Sequence, residues 1–232
     1  DKYNVKATFF VLGWIAERKP ELVKEIHSRG HEIASHGYGH IINYELNRDE
    51  IYEDIKKSKE LLESITGNKV VGYRAPNFSV TQDVIDALTT LGFEYDSSYN
   101  PFSKNKRYGQ LGTNEKGIFR LNESLVEISM SVWKSKFFEL SIAGGGYFRL
   151  YPYSSFRTLA SSYLKKNDYM IMYFHPWEFD PEQPRVKDVK FSYSFRHYVG
   201  LETTLLRLEK FISESLEEGI NFRKISNLLN VY

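Results

Sequence analysis

The sequence predicts an α/β fold built on a parallel sheet, either open or closed as a barrel. Three observations lead there. Short apolar, β-rich runs alternate with helix-length amphipathic stretches from Ala7 to Ser97 without interruption, the rhythm of right-handed βαβ units. The 232 residues can bury one large core, so a single domain over 1–232 is expected. With 41% hydrophobic and 26% charged residues, the composition is that of an ordinary globular chain.

Each element follows from its pattern. Ala7-Thr-Phe-Phe-Val-Leu12 is a continuous apolar run stopped by Gly13, as in a buried parallel strand. Residues 14–28 place Ile15, Leu22, Val23 and Ile26 at helical spacing before the stop at Arg29-Gly30. His31-Glu-Ile-Ala-Ser-His36 reads as the next strand, and Asn47 caps a helix over 48–65 that ends at Gly67. Residues 70–74 form a strand, 81–91 a helix capped by Gly92, and 93–97 another strand. Beyond this the pattern loosens. Residues 100–117 are polar and Gly-rich, and 118–142 carry β-like stretches such as Leu125-Val-Glu-Ile-Ser-Met130. Loop insertions are expected at about 99–142 and 176–200, lengths that suit the border of a site. Helices over 153–165 and 201–217 and strands over 169–174 and 221–225 complete the expectation.

Charge and composition exclude several roles. The 31 basic and 30 acidic residues are well mixed and leave a net charge of +1, without the basic block of a phosphate-backbone binder, so no nucleic acid partner is expected. Without cysteine, any metal must be held by histidine and carboxylate. No apolar run approaches the roughly 18 residues of a membrane span, and residues 1–15 lack a basic stretch followed by an apolar one. Aromatic residues make up 16% of the chain. Their flat rings suit both a packed core and a sugar-stacking cleft.

Polar residues collect just after the predicted strands. Ser35-His36-Gly37-Tyr38-Gly39-His40 sets two histidines four apart; they can converge on one Zn²⁺ across a tight Gly-rich turn, or be two unrelated histidines. Arg74-Ala-Pro76, Asp96-Ser97-Ser98 and His175-Pro-Trp-Glu178 follow later strands. A lone Arg is usually solvated and a lone Asp usually a cap, yet four such groups at successive strand ends point to an active site. Trp177 suits stacking on a sugar or packing beside Pro176. Gly144-Gly145-Gly146 has no following Lys-Ser/Thr, so it reads as a close-approach loop rather than a phosphate cradle, with Tyr147 and Arg149 as candidate substrate contacts.

These segments resemble the polysaccharide deacetylases of carbohydrate esterase family 4. The resemblance runs from Lys6-Ala-Thr-Phe-Phe-Val-Leu-Gly13 through Gly30-His-Glu-Ile-Ala-Ser-His-Gly-Tyr-Gly-His40 and Gly72-Tyr-Arg-Ala-Pro76 to Tyr173-Phe-His-Pro-Trp-Glu178. Ala143-Gly-Gly-Gly-Tyr-Phe-Arg149 and His175-Pro-Trp-Glu-Phe-Asp-Pro181 are further similar to the subgroup of bacterial exopolysaccharide and exosortase loci. The resemblance implies a distorted (β/α) barrel of about seven parallel strands, here lacking its first. It implies zinc, or another divalent transition metal, on His36 and His40, with Arg74 orienting a catalytic base and His175 as proton donor to the leaving amine. A backbone N–H after Pro76, that of Asn77, would face the oxyanion, because Pro has no donor. Asp96 and Ser97 fall where the family has its fourth motif, without its usual Asp-x-Trp.

The family also uses adjacent aspartates in a Thr-Phe-Asp-Asp-Gly strand end, one a metal ligand and the other the base. No Asp-Asp pair occurs in the sequence. The expectation is an N-terminally incomplete domain, against a natural pseudoenzyme or substitution by Glu178 or Asp180. The implied activity is removal of N-acetyl groups from the N-acetylhexosamines of a polysaccharide or oligosaccharide. An amidase on small linear or cyclic amides and an inactive carbohydrate-binding relative are the alternatives. Compartment and oligomeric state are not expressed in these residues.

Overall fold

A six-stranded sheet carries the first part of the chain in the computed structural model, which describes residues 1–102, 111–113 and 115–231. Its strands are β1 (Thr8–Val11), β2 (Glu32–Ser35), β3 (Gly72–Tyr73), β4 (Tyr95–Asp96), β5 (Ile118–Arg120) and β6 (Val126–Ile128), in the order β1-β2-β3-β4-β6-β5. All neighbours pair in parallel except β5 and β6. The α/β class and parallel sheet match the expectation; the sheet ends at β1 on one side and β5 on the other. In-register partners link Val11 to Ser35, Ser35 to Tyr73, Tyr73 to Asp96 and Asp96 to Glu127. Polar residues at the ends of several strands are thereby brought into one row.

The helices of this part are α1 (Gly13–Arg18), α2 (Pro20–Ser28), α3 (Arg48–Thr66) and α4 (Gln82–Thr90). One helix was expected over 14–28. Pro20 lacks the N–H to continue it, and Lys19 breaks away at φ −139° and ψ 55°, so Pro20 starts a second helix instead. In α3 the Asn47 side chain accepts from Glu50 N (3.0 Å) and Glu50 Oε2 accepts from Asn47 N (2.8 Å), a reciprocal cap that fixes the start. Ile51, Ile55 and Leu62 recur on one face of α3 and are buried, packed with Val84 and Leu88 of α4 into the core. Each such side chain contributes about 1.5–3 kcal/mol on burial.

The chain divides into two compact units, 1–129 with 222–232, and 130–221. The second holds the hairpin β7 (Val132–Lys134) and β8 (Glu139–Ser141), with helices α5 (Gly145–Leu150), α6 (Tyr153–Leu164), α7 (Phe191–Tyr198) and α8 (Leu201–Glu217). Phe148, Phe156 and Phe211 form its aromatic core, with ring centroids 4.9, 5.7 and 6.1 Å apart in edge contacts.

Several local expectations change. The insertion expected over 99–142 contains four short strands among the described residues; 103–110 and 114 lie outside them. The one over 176–200 contains a 3-10 turn, Pro176–Phe179, and α7. Among the described residues, the strand expected at 169–174 is reduced to one isolated parallel bridge, Gly144 to Tyr173. At 221–225 no strand forms. Ile225 N donates to Thr8 Oγ1 (2.8 Å) and Ser226 N to Glu32 Oε2 (3.1 Å), so side chains of β1 and β2 take donors that a ladder would have used.

Leu62→Ala should lower the unfolding free energy by about 2–5 kcal/mol through lost burial and a cavity, and Asn47→Ala by about 1 kcal/mol through the lost cap. Urea midpoints check both, and equal effects would contradict this division between core and cap.

Candidate functional site

The loop after β2 is shaped by α3. His36 N continues the ladder to Val11 O (3.0 Å), after which the chain turns at Gly37 with φ +74°. The Asp54 carboxylate of α3 then accepts from Tyr38 N (2.7 Å) and Gly39 N (3.0 Å). A Cβ at Gly37 would lie 2.7 Å from Asp54 Oδ2, so the glycine is needed for both its backbone angle and its lack of bulk. His40 is also left-handed, at φ 57°, a strain that the loop's anchors sustain.

This loop brings the two predicted histidines together, with ring centroids 5.2 Å apart at 68°. His36 Nδ1 lies 2.7 Å from Arg74 O. A carbonyl only accepts, so Nδ1 carries the proton and the lone pair sits on Nε2, the form in which imidazole binds a metal. The pair therefore fits as two ligands of a zinc-like ion. Among the described residues no group of three or more His, Asp or Glu converges to complete such a site. Asp54 is committed to the loop amides.

Arg74, at 7% exposure, follows β3 and is bound on one edge: Nε donates to Ser97 O and Nη2 to Ser97 Oγ, both at 2.8 Å. Its guanidinium also lies 4.1 Å from the Phe10 ring centroid. Asp96 is fully buried, and the sheet register places it beside an equally buried Glu127. Asp96 Oδ1 accepts from Ser98 Oγ and Glu127 Oε1 from Tyr99 N (2.9 Å). Desolvation pushes Asp96 up to about 6, against hydrogen bonds and the Arg74 charge. Glu127 is held well above the carboxylate range, first by burial and then by the negative charge of Asp96. Two carboxylates so placed cannot both ionise, and they hold a proton between them. Asp96 thus sits sealed inside an acid pair. Sequence reading missed Glu127, whose one signal is a lone charge within the apolar run 125–130.

Asn77 is the exposed apex of a buried 3-10 turn, Pro76–Phe78. It adopts φ 51° and ψ 23°, and the turn's own hydrogen bonds run from Phe78 N to Ala75 O and Ser79 N to Pro76 O, leaving the Asn77 N–H outside them.

In the second unit His175 opens the 3-10 turn Pro176–Phe179, its side chain half exposed and its Nδ1 2.9 Å from Glu178 Oε1. Trp177 stacks on His197 at 4.2 Å and 13°, and at 5.6 Å and 17° on His175, which supports packing over sugar stacking. Arg149 is buried. Its Nε meets Glu178 Oε2 at 3.2 Å and its Nη1 donates to His197 O (2.9 Å) and Val199 O (2.6 Å), so the guanidinium is committed within the unit. Tyr147 is half-buried on α5, its ring 5.9 Å from that of Tyr151. Both Glu178 oxygens are engaged, and Asp180 Oδ1 accepts from Glu182 N (3.1 Å). The close approach expected of the glycine run is present, since a Cβ at Gly145 would fall 2.0 Å from Glu178 Oε2.

Residues 1–95 match the polysaccharide deacetylase family, and residues 97–230 match a domain of unknown function, DUF3473. A peptidoglycan-N-acetylglucosamine deacetylase of Bacillus cereus is 44% identical over 77 residues, 33% of this chain and 26% of that protein. A peptidoglycan deacetylase-like protein of Gibberella zeae, FGM2, is 39% identical over 93 residues, 40% of this chain and 28% of that protein. The chain thus spans about a quarter of the length of these two relatives. The structure of a putative polysaccharide deacetylase from Mycobacterium smegmatis superposes with a TM-score of 0.57 at 22% identity, over 96% of this chain and 76% of that one. At that identity the likeness is one of fold.

The acid pair makes stability depend on pH. Asp96 binds its proton more tightly folded than unfolded, so its contribution is fully present below about 3.8 and is lost as pH rises through about 6. Glu127→Gln supplies a permanent hydrogen-bond donor and should flatten this fall, making the variant relatively more stable at neutral pH. Urea midpoints across that range check it; parallel curves for the two proteins would rule out the shared proton.

Proposed function

We propose that this chain, which belongs to the DUF3473 family over residues 97–230 and matches the polysaccharide deacetylase family over residues 1–95, is a metal-dependent hydrolase that removes N-acetyl groups from N-acetylhexosamine residues of a bacterial polysaccharide. The observation that carries the reading is the loop 36–40, where two imidazoles stand together and the His36 tautomer leaves its lone pair on Nε2. The relatives named for peptidoglycan N-acetylglucosamine support the substrate class, and the resemblance of 143–149 and 175–181 to exopolysaccharide enzymes supports a bacterial glycan.

His36 and His40 would hold zinc or another divalent transition metal. When bound, such an ion supplies Lewis acidity and lowers the pKa of a water toward about 7. The remaining roles belong to the chain. Arg74, anchored by Ser97, presents a fixed positive charge that orients a carboxylate base. Asp96 acts behind it, since the proton shared with Glu127 leaves one negative charge to balance Arg74. The Asn77 N–H, outside its turn's ladder, is the oxyanion donor. His175 gives a proton from Nε2 to the leaving nitrogen as the C–N bond breaks and its electron pair stays on that nitrogen. Tyr147 is the candidate sugar contact, whereas Arg149 and Trp177 support the loop that carries His175.

Two measurements test this in the full-length protein. Zinc titration should show tight binding that is lost in His36→Ala/His40→Ala; binding that survives the double change would refute the ligand assignment. His175→Ala should keep metal content and stability while lowering kcat on an N-acetylglucosamine oligosaccharide by roughly 10²–10⁴-fold. Hydrolysis of 4-nitrophenyl acetate should fall much less, because its oxygen leaves without a proton. An unchanged amide-to-ester ratio would remove His175 from the acid role.

A further inference from the structure

We propose that Glu178 and Arg149 are positioning residues that hold His175 with its Nδ1 protonated and its Nε2 turned away from the protein interior as the proton-transferring atom. The inference rests on the reading of His175 as proton donor and assigns the groups that set it.

The exposed ring is tied to a buried anchor. The His175 side chain is 50% exposed and that of Glu178 only 2%. Glu178 Oε1 accepts twice from one residue, from His175 N (3.1 Å) and from His175 Nδ1 (2.9 Å), so a single oxygen fixes both the backbone at the turn and the ring above it. A carboxylate accepts only, so the nitrogen facing it carries a proton and the reactive lone pair falls on Nε2, across the ring. Edge contact with Tyr173 (5.8 Å) and stacking on Trp177 bound the ring on its other sides.

The carboxylate is itself held from behind. Oε2 meets Arg149 Nε at 3.2 Å, and Arg149 Nη1 is pinned by the carbonyls of His197 and Val199. Arg207 Nη1 in turn donates to Arg149 O at 3.0 Å. At Gly145 an added Cβ would stand 2.0 Å from Glu178 Oε2, so the carboxylate lies directly against that backbone. The bond from His175 N is a cap that the turn needs for its own stability, whereas the second bond, to the ring Nδ1 of a solvent-facing histidine, goes beyond that need. In the reaction the imidazolium gives its Nε2 proton to the leaving nitrogen. The ring ends neutral with its proton on Nδ1, the one tautomer Glu178 accepts.

Glu178→Gln tests the hydrogen bonding. An amide has one accepting end for two sets of donors, so satisfying His175 turns its NH₂ against Arg149 Nε. Gly145→Ala tests the placement with both charges kept, and serves should Glu178→Gln fail to fold. The readout is ¹⁵N NMR of His175 in the full-length protein at a pH where its ring is neutral. Wild type should show the Nδ1–H tautomer, and both variants should move toward Nε2–H. With an N-acetylglucosamine tetrasaccharide, both should lose kcat by up to about 100-fold with little change in KM, and 4-nitrophenyl acetate should be far less affected. A wild-type Nε2–H tautomer, or the same tautomer in all three proteins, would overturn the proposal. The acid reading fails separately: His175→Ala with full deacetylase activity would end it while the tautomer result still stood for the clamp.

Discussion

A charge removed from water must meet its counter-group inside the protein, and each unit is organised around one such requirement. In the first, Arg74 is tied to Ser97 beside the proton-sharing pair Asp96 and Glu127. In the second, Arg149 and Glu178 are buried against each other and against the carbonyls of 197 and 199. Stranding one partner of such a pair costs about 3–5 kcal/mol. The strand ends and turns that carry these groups are therefore held in place by chemistry as well as by packing.

The consequence is a division of labour between interior and surface. The imidazoles of His36, His40 and His175 are each steered, directly or through their loop, by a group anchored within the same unit. Arg74 O sets the tautomer of His36, Asp54 shapes the loop that carries His36 and His40, and Glu178 faces His175. Such anchoring lets a side chain meet solvent without losing its orientation, which proton transfer and metal ligation both require.

Much of the fold is legible in the sequence because strand and helix periods are local properties. The alternation through residue 97 survives in β1 to β4 and α1 to α4, with the break at Pro20 as its one change of count. The second unit is harder to read. Gly145-Gly146 lowers helix propensity where α5 forms, and the Ser- and aromatic-rich 191–198 does the same for α7. The apolar run 169–174 looks like a strand, but a strand exists only through its neighbour, and here the pairing is one bridge.

The sequence by itself determined the fold class and the residue types of the candidate site, since His36, His40, Arg74 and His175 sit in short motifs whose spacing survives any folding. Only the tertiary structure decided what each of those residues answers to. Asp54, Glu127 and Glu178 look like ordinary charges in the sequence, and Arg149 looks like a substrate contact until its partner is seen. His36 meets Arg74 across 38 residues and Arg149 meets Glu178 across 29. The partner of a buried polar group is chosen by where the folded chain brings distant segments together, and local pattern does not encode that choice.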